Sequence, residues 1–94
     1  MLGNVNYSRL PKRLQRGTQR YIEQGIIPGD FLTSVIKNDL CKTIGAADDD
    51  MIKVIPEIVQ WFYWEAPSLC WGSETKMKEW SRKKDQEYRL KVEK

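Results

Sequence analysis

Four adjacent aromatic residues, Trp61-Phe62-Tyr63-Trp64, constrain this chain more than any other run in it. On a helix their rings point in four directions and sweep about 300° of the circumference. No single packed face can take them all. If Ile55, Ile58, Val59 and Phe62 form the buried stripe, Trp64 points roughly away from it and Trp61 sideways, on an outer face shared with Glu57 and Gln60. Exposed indoles call for a cover. Three covers are open at this point: another segment such as the Trp80 helix, a second subunit, or a ligand.

The rest of the sequence reads as helices joined by turn chemistry. It contains no β-hairpin signal and no internal repeat. Residues 1–7 are expected to be loose. Ser8 or the Leu10-Pro11 step opens a first helix that runs to about Gln24, where Gly25 supplies a left-handed stop. Leu10, Leu14 and Tyr21 recur on one face of it, and Gly17 weakens it. Pro28 or Asp30 starts a second helix whose Phe31, Leu32, Val35, Ile36 and Leu40 keep helical period as core, ending near Ile44-Gly45. Asp39 falls near that end, against the helix dipole, and is expected to find a partner such as an arginine. Asp48, Asp49 and Asp50 sit at the favourable start of a third helix, which Pro56 kinks or restarts. Ser73 is an N-cap with Glu74 behind it, opening a last helix that carries Met77, Trp80 and Tyr88. From Arg82 to Lys94 the apolar stripe nearly vanishes, so residues 82–94 read as a solvated or frayed tail. The expected fold class is all-α, a single domain of four to five helices. With 94 residues it buries little surface, so self-association is expected as well.

The first helix carries the clearest chemical signal. Arg9, Arg13, Arg16 and Arg20 fall within roughly 60° of one another at 100° per residue. Guanidinium groups make forked, charge-assisted hydrogen bonds to phosphate and carboxylate. Charge is also segregated along the chain. Residues 1–24 hold five basic and one acidic side chain, residues 25–73 three and seven, and residues 74–94 eight and five. Basic ends around an acidic middle attract polyanions or dock on a neighbouring copy. Pairing of the arginines with Asp30, Asp39, Glu57 or Glu65 is the plainer alternative. The Pro28-Gly29-Asp30 turn can offer backbone N–H groups to an anion at a helix start, although the aspartate opposes it.

Catalytic chemistry is sparse. The chain has no histidine, so the commonest general base and metal ligand is missing. Cys41 and Cys70 alone make no structural zinc site, and the three aspartates lack EF-hand spacing. Phosphate-loop, dinucleotide and serine-elbow motifs are absent. A non-enzyme without metal or cofactor is expected. The N-terminus lacks a signal-peptide core and no apolar run is long enough for a membrane span, so a reducing cytosol with free thiols is the expected setting.

Tyr21-Ile22-Glu23, Gly25, Pro28-Gly29, Phe31-Leu32, Asn38-Asp39-Leu40, Pro56, Ala66-Pro67 and Cys70-Trp71-Gly72-Ser73 form a pattern over roughly residues 20–73. In it the chain resembles small proteins encoded by bacteriophages and prophages, a group that carries no known activity. The resemblance implies a role inside an infected bacterium and transfers no functional residue.

The functional expectation is a non-catalytic binding protein. First comes capture of an anionic, nucleotide-type signal of host defence, with Arg9, Arg13, Arg16 and Arg20 on phosphates and Trp61, Trp64 or Trp71 on a base. Alternatives are an inhibitor that binds a host protein through its Trp and Arg surface, and a small nucleic-acid-binding protein.

Overall fold

The apolar positions recur with helical period, and the computed structural model, which describes residues 5–92, has five α-helices and no strand among those residues. They are α1 (Lys12–Gln24), α2 (Asp30–Ile36), α3 (Leu40–Ala46), α4 (Asp49–Glu65) and α5 (Glu74–Val92). Short 3-10 turns occupy Tyr7–Arg9 and Ser68–Cys70. The chain is all-α, one domain around one core, and no described helix is long and apolar enough to cross a membrane.

Each helix start and stop has a local cause. Gly25 ends α1 at φ 75°, and its N–H donates back to the Tyr21 carbonyl at 2.9 Å. A Cβ on Gly25 would lie 2.5 Å from the Ser81 carbonyl oxygen, so the residue also lets α5 approach. Asp48 caps α4 by accepting from the Met51 N–H at 2.8 Å, and Ser73 caps α5 by accepting from the Lys76 N–H at 3.1 Å. Pro56 neither ends nor restarts α4, which runs through it as one element.

Three sequence expectations fail in the middle of the chain. The second helix is not continuous from Asp30 to Ile44. Asn38 takes φ 61°, which breaks the run, and Asp39 then caps α3 by accepting from the Lys42 N–H at 3.2 Å. Asp39 thus sits at the positive end of a dipole and not the negative one. Leu40, expected in the core, starts α3 and is 69% exposed. The start of the chain is also tied down where a loose segment was expected. Val5 and Tyr7 pack on the core, while residues 1–4 lie outside the described residues.

Helix α1 packs against α5, and α2 against α3. Tyr21, Ile22, Ile36, Ile58, Phe62 and Cys70 are fully buried at the centre. Side-chain hydrogen bonds cross the core where an aromatic brings a polar atom inside. The Tyr21 hydroxyl donates to the Cys70 carbonyl at 2.6 Å. The Trp80 Nε1–H donates to the Ile22 carbonyl at 3.1 Å. Gly72, at φ 115°, donates its N–H to the Ile36 carbonyl at 2.7 Å. No buried side-chain polar atom among the described residues lacks a partner. Tyr21, Gly25, Asn38-Asp39 and Cys70 to Ser73 thus include the pins of the fold.

Beyond Lys84 every described side chain of α5 is exposed, including Tyr88. The tail is nonetheless helical to Val92. Lys84–Glu87 and Asp85–Arg89 ion pairs, both at 3.2 Å, lie along it.

Candidate functional site

The arginine row is split by the break at Leu10-Pro11. Leu10 and Pro11 are extended, so Arg9 belongs to the preceding 3-10 turn and not to α1. Arg13, Arg16 and Arg20 remain on the helix. Arg13 alone of the three has an ion pair among the described residues, Nη1 to the Asp48 carboxylate at 3.0 Å. Both partners are more than half exposed, so the pair is weak and screened by salt. The Met51 N–H, and secondarily the Arg13 guanidinium, hold the Asp48 carboxyl below its ordinary value.

Arg13 and Arg20 flank a groove of about 500 Å³. They stand two turns apart on α1, about 10.5 Å along the axis. Gly17 lies between them with no side chain, and Leu14 and Leu32 line the groove beside it. The opposite wall is the turn from Ile26 to Asp30 with Phe31. Gly25 places that wall, because it folds the chain back at the end of α1. The groove therefore combines two guanidinium groups, an apolar lining with one aromatic ring, and a carboxylate, Asp30, at its edge. It suits a guest with a planar apolar part and at least one oxyanion. Arg16 projects about 60° from Arg13 and about 40° from Arg20, and lines neither this groove nor the cleft described next.

The tryptophans do not join the arginine groove. Trp61 is 4% exposed and donates its Nε1–H to the Asn6 carbonyl at 2.7 Å. Its ring packs on Tyr7 at 5.6 Å and edge-on to Phe62 at 5.2 Å. The 3-10 turn near the start of the chain is the cover that the sequence left open for this residue. Trp71 is half-buried against Phe62, with ring centroids 5.5 Å apart. Trp64 stands out at 75% exposure, edge-on to Tyr63 at 4.9 Å. It lines a separate cleft of about 320 Å³ with Arg9, Glu57, Gln60, Trp61 and Glu65. That cleft carries two carboxylates against one guanidinium, the wrong balance for a polyphosphate.

The seven residues singled out in the sequence thus divide. Arg13 and Arg20 share a groove, Arg9 and Trp64 share a cleft that Trp61 backs, Arg16 is free-standing, and Trp71 is part of the packing. Sequence reasoning missed Gly17, Ile26, Ile27 and Phe31 as groove residues. Gly17 carried a usable signal, since it lies four residues after Arg13 and three before Arg20 and so opens a gap in the basic face. The Ile26-Ile27 pair carried none, because apolar residues in a turn have no period. The aspartate triplet acts at the start of α4, with Asp48 as the cap and Asp49 and Asp50 exposed in the first turn. Among the described residues no group of three acidic, cysteine or histidine side chains is placed to hold a metal ion. Comparison with known proteins finds no match, whether to a family model, a curated protein or a solved structure.

Proposed function

We propose that the chain is a non-catalytic binding protein that captures a phosphate-bearing small molecule of nucleotide type in the groove between α1 and the turn before α2. The observation that carries this reading is the pairing of Arg13 and Arg20 across an apolar floor opened by Gly17. Arg20 supplies a guanidinium without an ion pair among the described residues, and Arg13 exchanges an exposed partner for the guest. Phe31 and the isoleucines take the planar part of the ligand. Asp30 accepts from an exocyclic amino group or, if a phosphate comes close, opposes it. The phage-type resemblance adds a setting, an infected bacterium in which capture without turnover would lower the free concentration of a defence signal.

The test is calorimetric titration with a panel of linear and cyclic nucleotides. Loss of a charge-assisted hydrogen bond costs about 1.5–3 kcal/mol, so Arg20→Glu should weaken binding by at least tenfold with the far-UV spectrum unchanged. Arg13→Glu with Arg20→Glu should abolish it. A panel that is flat for the unmodified chain overturns the reading. It would shift weight to a protein-binding role, which the exposure of Trp64 beside Arg9 supports.

A further inference from the structure

Helix α4 is apolar on two sides. Met51, Ile55, Ile58 and Phe62 face the core. Ile52, Pro56, Val59 and Tyr63 recur within about 60° of one another on another side, and all four are exposed. A helix that is apolar on two sides is normally covered on both, and only its third side, with Lys53, Glu57 and Gln60, is polar. This molecule is 19 Å thick in its shortest direction, or two helix diameters, and so has no layer to place over that second side. Helix α3 extends the same surface. Leu40 shares a dimple of about 50 Å³ with Val59, and Ile44 follows one turn later, also exposed. The patch of Leu40, Ile44, Ile52, Pro56, Val59 and Tyr63 is apolar, with Asp39 at the dimple that joins its two helices.

We infer that a second copy of this chain packs on this α3–α4 face, with the two α4 helices antiparallel about a two-fold axis between Pro56 and Val59. The area fits. The six side chains expose on the order of 500 Å² per copy, so two copies approach the roughly 1,000 Å² that a specific interface needs before any polar rim is counted. The charge pattern selects the orientation. A parallel pair would set Asp48, Asp49 and Asp50 of both copies side by side. An antiparallel pair places that acidic start beside the end of the partner's α4, where a single carboxylate, Glu65, is followed by the neutral segment Ala66–Ser73, so fewer like charges meet. It also sets Tyr63 of each copy over Ile52 of the other, a large side chain over a small one at either end of the stripe. Two-fold pairing is the commonest closed arrangement and leaves no open apolar edge. The face shares no residue with the arginine groove, so pairing and ligand capture stand or fall separately.

Sedimentation equilibrium of the full chain over 5–200 µM tests the inference. The unmodified chain should show twice the chain mass. Val59→Glu and Tyr63→Glu, together, should lower self-affinity by at least tenfold while helicity is kept, with the melting temperature falling only as loss of the partner requires. Mixing Val59→Lys protein with Val59→Glu protein should restore the double mass, because opposite charges then meet near the axis. A single-copy mass for the unmodified chain at 200 µM overturns the inference, and leaves the patch to a foreign partner. A double mass that persists in the Val59→Glu, Tyr63→Glu chain overturns it as well, since the contact would lie elsewhere. Folded Lys and Glu variants that stay apart on mixing overturn the placement of the axis.

Discussion

Gly25 does two jobs at one position. Its positive φ ends α1, and its missing Cβ lets Ser81 close to hydrogen-bonding distance, with the Ser81 hydroxyl donating to the Gly25 carbonyl at 2.5 Å. Gly25→Ala would place a methyl group against the Ser81 backbone and force φ into a region that L-residues avoid. The expected loss is about 2 kcal/mol or more in urea unfolding, against about 1 kcal/mol for the left-handed conformation alone. A change under 0.5 kcal/mol would show that α5 can step back from α1 freely. Cys70 and Tyr21 form a second two-part device. Burial removes the Cys70 thiol from water, and the residue's backbone carbonyl receives the Tyr21 hydroxyl. The residues that looked most like a signature in the sequence, Gly25 and Cys70-Trp71-Gly72-Ser73 among them, are needed for how the chain packs.

At the level of elements, starts and stops written in capping chemistry were legible. Ser73 caps where it was expected to, Gly25 stops α1, and α4 starts within the aspartate run expected at a helix start, with Asp48 as its cap. The break between α2 and α3 was hidden by a hydrophobic period that continues through it, from Phe31 to Leu40. The true signal was local: Asn38 tolerates a positive φ and Asp39 is a good cap, so the pair reads as an end followed by a start. Pro11 likewise cut Arg9 from the row, because an extended backbone at Leu10-Pro11 does not preserve a 100° step. Helix α1 also contains a clean test of the groove. A Cβ on Gly17 would meet only Leu32 Cδ1, at 3.5 Å, an ordinary contact. Gly17→Ala should therefore stabilise the fold by up to about 1 kcal/mol through helix propensity, read as a higher denaturant midpoint. Gly17 as a packing glycine would give the opposite sign.

For the whole molecule, the all-α architecture was legible because every long segment has helical period and no hairpin turn. The site was legible only in part. Linear spacing cannot say that Trp64 and Arg13 lie in different hollows, since that depends on how α4 rolls against the chain's first turn. Stability toward alkali is a property of the assembled core. Burial pushes the Cys70 thiol up to about 12 and drives the Tyr21 hydroxyl up as well, while Tyr7 rises through burial and the neighbouring Glu23. The unfolded chain releases these protons near 9.0 and 10.0, so above pH 9 it binds fewer protons than the folded chain. Stability therefore falls as pH rises, with a slope approaching about 1.4 kcal/mol per pH unit for each such group. Urea midpoints at pH 7, 9 and 10.5 should decline over the last interval. A level series would mean that these groups reach water in the native state.

The four indoles occupy four different surroundings. Trp61 and Trp80 are anchored to carbonyls of distant segments, Trp71 leans on a phenyl ring, and Trp64 alone stands in water. The chain consequently carries its own fluorescent instrument. Three emitters follow the integrity of the interior, and the fourth watches a single patch of the exterior.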